Sequence, residues 1–336
     1  MPECRFPFAR YPVVTLAHGA GGRFTQQLIR DIFSAAMTDV QADQDGADLV
    51  FQDPPDSRLV FTTDSYVVSP LVFPGGDIGK LSVIGTCNDL AVCGAEPAYL
   101  SCGWIIEEGF PTESLFALAQ SMALAAAEVG ARIVTGDTKV VERGHGDGVF
   151  LNVSGVGVRR FSCHPRLIQP GDVVIVSGDL GRHGACILAQ REDLQIQTPI
   201  ESDCDHLWPA VARLSPLAES VHCIRDLTRG GLATVLAELS ETASLRITIE
   251  RDRVPVSKKV ASVCELFGMD PLYMANEGRM VLFAEPSRED EILESLSASA
   301  RTIGVVSEGR GVIACSQLGG SQMLDMLSGE QLPRIC

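Results

Sequence analysis

Four aspartates in short motifs rich in glycine or hydroxyl residues are well suited to metal and phosphate chemistry. They are Asp64 in TTDS, Asp89 in CNDLAVCGA, Asp137 in TGDTK and Asp226 in RDLTRGG. Carboxylates brought together without a cation repel one another and raise each other's pKa. Magnesium would relieve that repulsion, and it prefers a few carboxylates together with substrate phosphate oxygens. The set therefore predicts a magnesium and phosphate site, although each aspartate could instead be a turn or helix-cap residue.

Two further residues could take part in such chemistry. Lys139, two residues beyond Asp137, could contact a phosphate as a point charge. Cys336 is the last residue and follows a glycine-containing stretch, so its thiol could visit the active site of a second protein and return. Fifteen extended residues at about 3.3 Å each would span roughly 50 Å. A terminal cysteine can equally be an accidental exposed thiol, and at this point both interpretations stand.

Two common nucleotide-binding motifs are excluded by their spacing. Residues 75–81 resemble a P-loop, but only three residues separate the first glycine from Gly79-Lys80 where four are needed. Leu81 also replaces the hydroxyl that binds magnesium in that motif. Gly155-Val156-Gly157 lacks the third glycine of a dinucleotide fingerprint.

The composition limits the classes of partner. Lys and Arg number 27 against 43 Asp and Glu, a formal net charge of −16, which opposes binding to nucleic acid or anionic membranes. No apolar run reaches the ~18 residues of a membrane-spanning helix, and the start of the chain does not resemble a signal peptide. The 11 cysteines include no CxxC pair, which argues against structural zinc. We therefore expect a cytoplasmic protein with no nucleic acid or membrane partner.

The elements that must position these residues follow from hydrophobic patterning. Residues 59–64 and 131–137 predict short strands that end in Asp64 and Asp137. Residues 79–94 predict a helix that carries Asn88 and Asp89.

Glycine and proline positions divide the sequence into two halves, each of which alternates strands with helices. This alternation predicts an α/β or α+β fold with an N-terminal domain over residues 1–160 and a C-terminal α/β domain over residues 161–318. The polar segment 319–336 predicts a mobile tail that ends in the reactive cysteine.

Taken together, the motifs resemble those of the HypE family of hydrogenase maturation proteins. They are HGAGG, TTDSYVVSPLVFPGG, GTCNDLAVCGA, TGDTKVV, PGDVVIVSG, DLTRGGL, NEGRM and the terminal PRIC. The family belongs to the ATP-dependent superfamily of aminoimidazole ribonucleotide synthetase and selenophosphate synthetase, within which the terminal PRIC is specific to HypE. The resemblance runs from about Thr15 to Cys336. It implies the two-domain aminoimidazole ribonucleotide synthetase-like fold, a flexible tail, and a homodimer whose N-terminal domains pair and help form the ATP site.

The resemblance also implies a definite reaction. The family accepts a carbamoyl group on its C-terminal cysteine from the carbamoyltransferase HypF. It then uses ATP to dehydrate that thiocarbamate to a thiocyanate, and passes cyanide to the [NiFe]-hydrogenase iron centre assembled on HypC and HypD. Transfer of the γ-phosphoryl group to the carbamoyl oxygen would supply the leaving group, so that catalysis is mostly positioning and charge neutralisation.

Carried onto this sequence, the resemblance places roles on particular residues. Catalytic roles fall on Cys336 as the thiol, Lys139 as the charge that stabilises phosphate, Glu277 as the base and His18 as a phosphate contact or lid. The expected ATP contacts are Asp64, Asn88, Asp89, Gly136, Asp137, Thr138, Lys139 and Asp226. The expected magnesium ligands are Asp64, Asp89, Asp137 and Asp226. Glu277 could instead be a structural turn acid, and His18 and His183 could be structural histidines.

Two alternatives to this function stand beside it. One is another enzyme of the superfamily that phosphorylates an amide oxygen or selenide, although the segment His18–Gly22 lacks the reactive cysteine that selenide chemistry would want. The other is a non-catalytic scaffold that binds ATP and presents its tail to partners. ATP hydrolysis by the pure protein before and after carbamoylation of Cys336 would separate the three.

Overall fold

The strands of the protein form two main sheets, one in the N-terminal half of the chain and one in the C-terminal half. The structure is a computed structural model that describes residues 6–20, 22–40, 47, 49–54, 57–191, 200–326 and 334–336. Its strands are β1 (Leu59–Tyr66), β2 (Val72–Phe73), β3 (Gly76–Asp77), β4 (Ala95–Glu107), β5 (Arg132–Val141), β6 (Val149–Arg159), β7 (Val173–Val176), β8 (Val221–Asp226), β9 (Arg246–Glu250), β10 (Met280–Ala284), β11 (Arg301–Ser307), β12 (Gly311–Cys315) and β13 (Ser321–Leu324).

The helices lie between these strands in chain order. They are α1 (Arg23–Leu28), α2 (Ser34–Ala36), α3 (Ile78–Val92), α4 (Thr112–Val129), α5 (Arg182–Arg191), α6 (Trp208–Arg213), α7 (Gly231–Ala243), α8 (Lys258–Phe267) and α9 (Glu289–Ser295). A π-helical turn, Ile29–Phe33, joins α1 to α2. The 3₁₀ turns are Leu16–Gly19, Pro165–Leu167, Ser215–Ser220, Arg251–Arg253, Pro271–Tyr273 and Pro286–Arg288. None of the described helices is long and apolar enough to cross a membrane.

The first sheet has four strands in the order β1-β6-β4-β5. Side chains alternate between its two faces, so one face packs on α3 and α4 while the other is open to solvent. Phe61 and Ile105 project from this open face, with 68% and 43% of their surface exposed. We call this surface the open face of the first sheet.

Helix α3 is the central element of the protein. It is buried almost all round, because it packs on the first sheet and α4 and also contacts α6 and β8 of the second half. Asp77 caps its N-terminus by accepting a hydrogen bond from the backbone N–H of Lys80 at 3.0 Å. Because α3 contacts both halves, its polar residues can face a site built from both.

The second sheet has seven strands in the order β13-β12-β9-β11-β7-β10-β8. Its helix α8 has residues at both ends that suit the ends of a helix. The Ser257 side chain caps α8 and Gly268 ends it in the left-handed conformation, at φ 65°.

The described structure differs from the sequence predictions in three places. β1 and β5 continue past Asp64 and Asp137, to Tyr66 and Val141, so both aspartates lie inside strands rather than at their ends. Pairing with neighbouring strands extends each element beyond its local hydrophobic pattern. The predicted tail also contains β13, which pairs with β12 at the sheet edge, and residues 327–333 lie outside the described part of the chain.

Candidate active site

A cavity of about 450 Å³ lies between the two halves of the protein. Its walls come from β1 and α3 of the first half and from β8, the loop after it and the turn before β10 of the second half. Its ionisable lining residues are Asp64, Tyr66, Asp89, Cys93, Arg225, Asp226, Arg229, Glu277 and Cys336. Carboxylates, guanidinium groups and the terminal thiol therefore share one space.

Three of the four predicted aspartates line this cavity. Burial, together with the neighbouring Asp89 carboxylate, raises the pKa of Asp226 to about 7. Burial also raises the pKa of Asp89, although the Thr62 hydroxyl opposes this by donating a hydrogen bond of 2.9 Å. An oxygen of Asp64 lies 3.9 Å from a guanidinium nitrogen of Arg229. The three carboxylates thus occupy a space in which full ionisation is unfavourable without a cation.

These three aspartates fit a magnesium ion that is shared with a substrate. A divalent cation would offset the repulsion that raises the pKa values of Asp89 and Asp226. Among the described residues, the set of three metal-binding side chains with ligand atoms within 4.8 Å of one another is Glu128, Asp205 and His206, which lies outside the cavity. The cavity carboxylates are therefore too widely spaced for a closed chelate. Magnesium completes such a shell with substrate oxygens and water.

Glu277 lies in the turn before β10 and is almost fully buried. Burial raises its pKa well above the usual value, and the Asp203 carboxylate raises it further. Its backbone is fixed, because its N–H donates to Asp203 Oδ1 at 3.3 Å and its carbonyl accepts from Asn88 Nδ2 at 3.1 Å. Its Oε1 finds no hydrogen-bond partner within the described ranges. A buried carboxyl with a free oxygen at a cavity can accept or hold a proton there.

Asn88 connects the two halves rather than lining the cavity. Its Nδ2 donates to the carbonyls of Asp205 and Glu277, both at 3.1 Å, and its Oδ1 accepts from the N–H of Leu207 at 2.8 Å. The side chain therefore acts on the site through the backbone of Glu277.

Asp137 and Lys139 lie on the open face of the first sheet, away from the cavity. Ser65, Asn152, Gly103 and Asp137 pair across the four strands in one row, so their side chains share a face. Asp64 precedes Ser65 in β1, so its side chain points to the other face. Three strand spacings of about 4.8 Å separate β1 from β5 by roughly 14 Å. Within one protomer, Asp137 therefore does not join the other three aspartates.

Asp137 and Lys139 pair with each other instead. The Lys139 ammonium lies 2.8 Å from Asp137 Oδ2, and both side chains are mostly exposed. Lys139 is the first cause of the lowered pKa of Asp137.

The neighbouring positions in β5 have visible roles in packing. A Cβ at Gly136 would lie 2.4 Å from the carbonyl oxygen of Cys102, so the close approach of β4 requires glycine there. Thr138 is buried beside its paired residue Trp104, on the face that packs on the helices.

His18 is enclosed by aromatic rings outside the cavity. The rings of Phe6, Tyr11 and Phe24 lie 5.6–6.2 Å from its ring centroid. Its Nδ1 accepts a hydrogen bond from the N–H of Thr15 at 3.0 Å, and its Nε2 has no partner among the residues that the structure describes. Burial lowers the pKa of His18, so the ring is kept neutral. The 3₁₀ turn that carries it packs on β5, where Gly19 lies against Val140, so His18 does not join Asp64 in the cavity.

Cys336 reaches the cavity because the last three residues are seated against the protein. Burial raises the pKa of its thiol, and the Glu277 carboxylate raises it further. The preceding basic residue, Arg334, forms an ion pair with Asp147 instead of contacting the thiol. The seated thiol is therefore protonated and is a weak nucleophile.

Sequence reasoning did not find the residues that seat the tail. His183 was interpreted as structural, yet its Nε2 lies 2.7 Å from the carbonyl oxygen of Ile335, 152 positions away. Arg191 donates to the carbonyls of Ser69 and Arg334. No local motif marks these residues, because their partners are distant in sequence.

Comparisons with known proteins match both halves of the chain. Residues 44–159 match the N-terminal domain of the AIR synthase related proteins, and residues 169–315 match the C-terminal domain of the same group. The carbamoyl dehydratase HypE of Cupriavidus necator is 45% identical over 332 residues, which cover 96% of this chain and 95% of the relative.

Solved structures give the same result. The crystal structure of the hydrogenase maturation protein HypE in complex with ATP superposes with a TM-score of 0.91 at 40% identity, covering 96% of this chain and 99% of that one. The crystal structure of a HypE–HypF complex superposes with a TM-score of 0.78 at 40% identity, covering 91% and 100%. These similarities confirm the predicted fold class and the predicted family resemblance.

Proposed function

The chain belongs to the HypE family of carbamoyl dehydratases, and on that premise we propose that it uses ATP to dehydrate an S-carbamoyl group on its own Cys336 to a thiocyanate. The observation that carries the proposal is the cavity in which Cys336 lies with Asp64, Asp89, Asp226 and Glu277. The reaction converts the thiocarbamate and ATP into the thiocyanate, ADP and phosphate.

The chemistry requires the carbamoyl oxygen to leave as phosphate. The C–O bond breaks after that oxygen has accepted the γ-phosphoryl group, and the nitrogen loses two protons as the C≡N bond forms. Asp64, Asp89 and Asp226 would hold magnesium, which would neutralise part of the triphosphate charge. Asp226 and Glu277 are buried, and burial strengthens these charge interactions.

Glu277 is the proposed proton acceptor. It lines the same cavity as Cys336, and one of its carboxylate oxygens is unpartnered within the described residues. Because burial raises its pKa, the ionised form binds a proton more strongly than a free glutamate does. Asn88 and Asp203 fix its backbone, which keeps the carboxylate in one position.

A second copy of the chain would complete the ATP site. Asp137, Lys139 and the turn that carries His18 lie together along β5, separate from the cavity. The open face between them carries exposed apolar side chains, including Phe61, which favours its burial against another surface. In a two-fold homodimer built on this face, Lys139 of one protomer would approach the phosphates bound by the other.

Mixed dimers test this arrangement. Asp89→Asn and Lys139→Ala each inactivate homodimers, but a mixed dimer of the two contains one intact site if Lys139 acts across the interface. Random subunit exchange would then restore about a quarter of the wild-type sites. A mixture with no recovery of ATP hydrolysis would show that Lys139 does not act across the dimer.

The partners follow from the same premise. The Cys336 thiol must leave the cavity to attack a carbamoyl donor, because burial raises its pKa and keeps it protonated inside. We propose HypF as that donor, with the superposed HypE–HypF complex as support. The HypC–HypD complex is the proposed cyanide acceptor. A cytoplasmic location fits the ten described cysteines, all of which are free thiols.

Intact-mass spectrometry tests the central assignment. Wild-type protein incubated with the carbamoyl donor system should gain one carbamoyl group, and should lose one water after ATP is added. Cys336→Ser should do neither, because a hydroxyl is far less ionised than a thiol near neutral pH. Cys93→Ser is the matched control, because Cys93 lines the same cavity and its replacement should leave both mass changes intact. Carbamoyl gain and dehydration in Cys336→Ser would overturn the proposal.

A further inference from the structure

The last three residues are seated by groups from several other segments. Every carbonyl of residues 334–336 accepts a hydrogen bond from outside the tail. The N–H of Ser69 donates to the first at 3.2 Å, His183 Nε2 donates to the second at 2.7 Å, and the N–H of Val67 donates to the third at 3.0 Å. The backbone of residues 67–69 thus pairs with the tail as an added strand would.

His183 is the side chain that contacts the middle of this seat. Because a carbonyl can only accept, His183 Nε2 must carry the proton, and Nδ1 accepts from the Ser202 hydroxyl at 2.8 Å. Ser202 Oγ in turn accepts from the N–H of Cys204 at 3.1 Å. The Phe73 ring meets the imidazole edge-on, with centroids 5.4 Å apart. The ring is therefore oriented by groups that do not belong to the tail.

The tail residues supply the complementary groups. Ile335 is buried in an apolar cluster that extends from α3 and α4 of the first half to α5 and α8 of the second, with 6% of its surface exposed. Arg334 pairs with Asp147, which lies between β5 and β6. The side chains of Arg334 and Ile335 therefore anchor the segment away from the cavity, and Cys336 lines the cavity.

We propose that His183 is a positioning residue that holds the C-terminal segment in its seat and so sets the fraction of time that Cys336 spends in the cavity. This inference rests on the proposed function for its consequence but not for its geometry. Dehydration requires the seated tail, whereas carbamoyl transfer from another protein requires the released tail. A change in the strength of the His183 hydrogen bond to Ile335 would thus change the rates of carbamoyl transfer and dehydration in opposite directions.

The side chain of Asp203 links His183 to Glu277, the proposed base. Asp203 Oδ1 accepts from the N–H of His183 at 3.1 Å and from the N–H of Glu277 at 3.3 Å. One carboxylate oxygen therefore sets the spacing between the group that seats the tail and the group that acts on Cys336. The positions of His183 and Glu277 are therefore fixed relative to each other by contacts that do not involve the C-terminal segment.

Thiol alkylation measures the seat without any catalysis. Full-length protein is treated with iodoacetamide and digested before aspartate, and the 325–336 peptide is quantified by mass spectrometry. Removing the His183 hydrogen bond with His183→Ala should raise the alkylation rate of Cys336 by roughly five- to tenfold, since release of the tail precedes reaction. His183→Gln, which can place an amide N–H near Ile335, should recover most of the protection. His164→Ala, at an exposed histidine, should leave the rate unchanged.

Because replacement of the buried His183 could itself disturb the fold, a second variant changes the C-terminal segment instead. Ile335→Ala changes only the tail and should raise the alkylation rate at least about tenfold. If both His183→Ala and Ile335→Ala were alkylated at the wild-type rate, the proposal that His183 holds the C-terminal segment would be wrong.

The two reaction steps supply the functional arm. In His183→Ala, carbamoylation of Cys336 by the donor system should be as fast as in wild type or faster, and dehydration after ATP addition should be slower by a similar factor. Equal slowing of both steps would identify a merely structural role and overturn the proposal. If wild-type protein itself shows no dehydration, the proposed function fails. The alkylation rates still test whether His183 holds the C-terminal segment.

Discussion

Replacing Asp226 by Asn should stabilise the protein when no divalent metal is present. Burial and the neighbouring Asp89 raise the pKa of Asp226 from 3.8 to about 7, so its ionised form is disfavoured in the folded state. The stabilisation associated with the protonated form is fully present below pH 3.8 and is lost as the pH rises through 7. Asn keeps the shape but carries no charge, so the variant avoids that loss.

The size of the effect follows from the pKa shift. A shift of about three pKa units corresponds to about 4 kcal/mol at pH 8 and about 2 kcal/mol at pH 5.5. With an unfolding entropy of about 2.1 cal/mol/K per residue, a cooperative transition of 336 residues gives roughly 0.7 kcal/mol/K. The midpoint should therefore rise by about 6 °C at pH 8 and by about 3 °C at pH 5.5.

Thermal unfolding by circular dichroism in EDTA measures this difference. Glu219→Gln is the control, because it removes the same charge from an exposed position just before β8 and should give no pH-dependent difference. Magnesium and ATP should reverse the order by stabilising wild type more than the variant. If the thermal unfolding midpoint of the variant at pH 8 in EDTA were at or below that of wild type, the ionised Asp226 carboxylate would not destabilise the metal-free fold, and the reasoning would be refuted.

Three further outcomes are expected. Asn88→Ala leaves two carbonyls and one N–H between the halves without a partner, so it should cost about 2–4 kcal/mol in urea unfolding. Gly278→Ala should lower dehydration activity strongly, because its Cβ would lie 2.1 Å from the carbonyl oxygen of Asp203 and would displace the turn that carries Glu277. Removing divalent metal should abolish ATP hydrolysis, and Asp89→Asn should prevent its recovery on magnesium titration.

Each of these outcomes has a control and a result that would contradict it. Gln322→Ala changes an exposed amide and should leave urea unfolding unaltered, whereas an equal loss in both variants would remove the special role of Asn88. Gly320→Ala places its Cβ 3.3 Å from a flexible serine hydroxyl and should retain activity. Full ATP hydrolysis by Asp89→Asn would take Asp89 out of the metal site.

Much of the local structure was predictable from residue types. The Ser257 cap and the Gly268 end of α8 follow from local hydrogen bonding and from the left-handed conformation that glycine allows. The grouping of strands and helices into two halves followed from their alternation, and the terminal position of Cys336 made it a candidate nucleophile without any structure. These features depend on neighbours within a few positions, so the sequence contains them directly.

The membership of the candidate site was only partly predictable. Asp64, Asp89 and Asp226 share the cavity, but Asp137 has a motif of the same kind and lies on the other face of the sheet. Its strand extends through that position because β4 pairs with it, and the alternation of side chains then fixes the face. Asp137 thus remains a predicted ligand that requires a second protomer.

By itself, the sequence determined the family resemblance, the acidic motifs and the prediction of a reactive cysteine at the end of the chain. Tertiary structure alone decided that Asn88 braces the turn of Glu277 and that His183 seats the tail. Each of these contacts joins residues more than 150 positions apart, and no local periodicity or spacing specifies such a pair. The Asn88 contacts form because α3 is enclosed between the two halves, so its buried polar groups must find partners on both sides. The His183 contact forms because a fully buried imidazole needs a partner for each ring nitrogen.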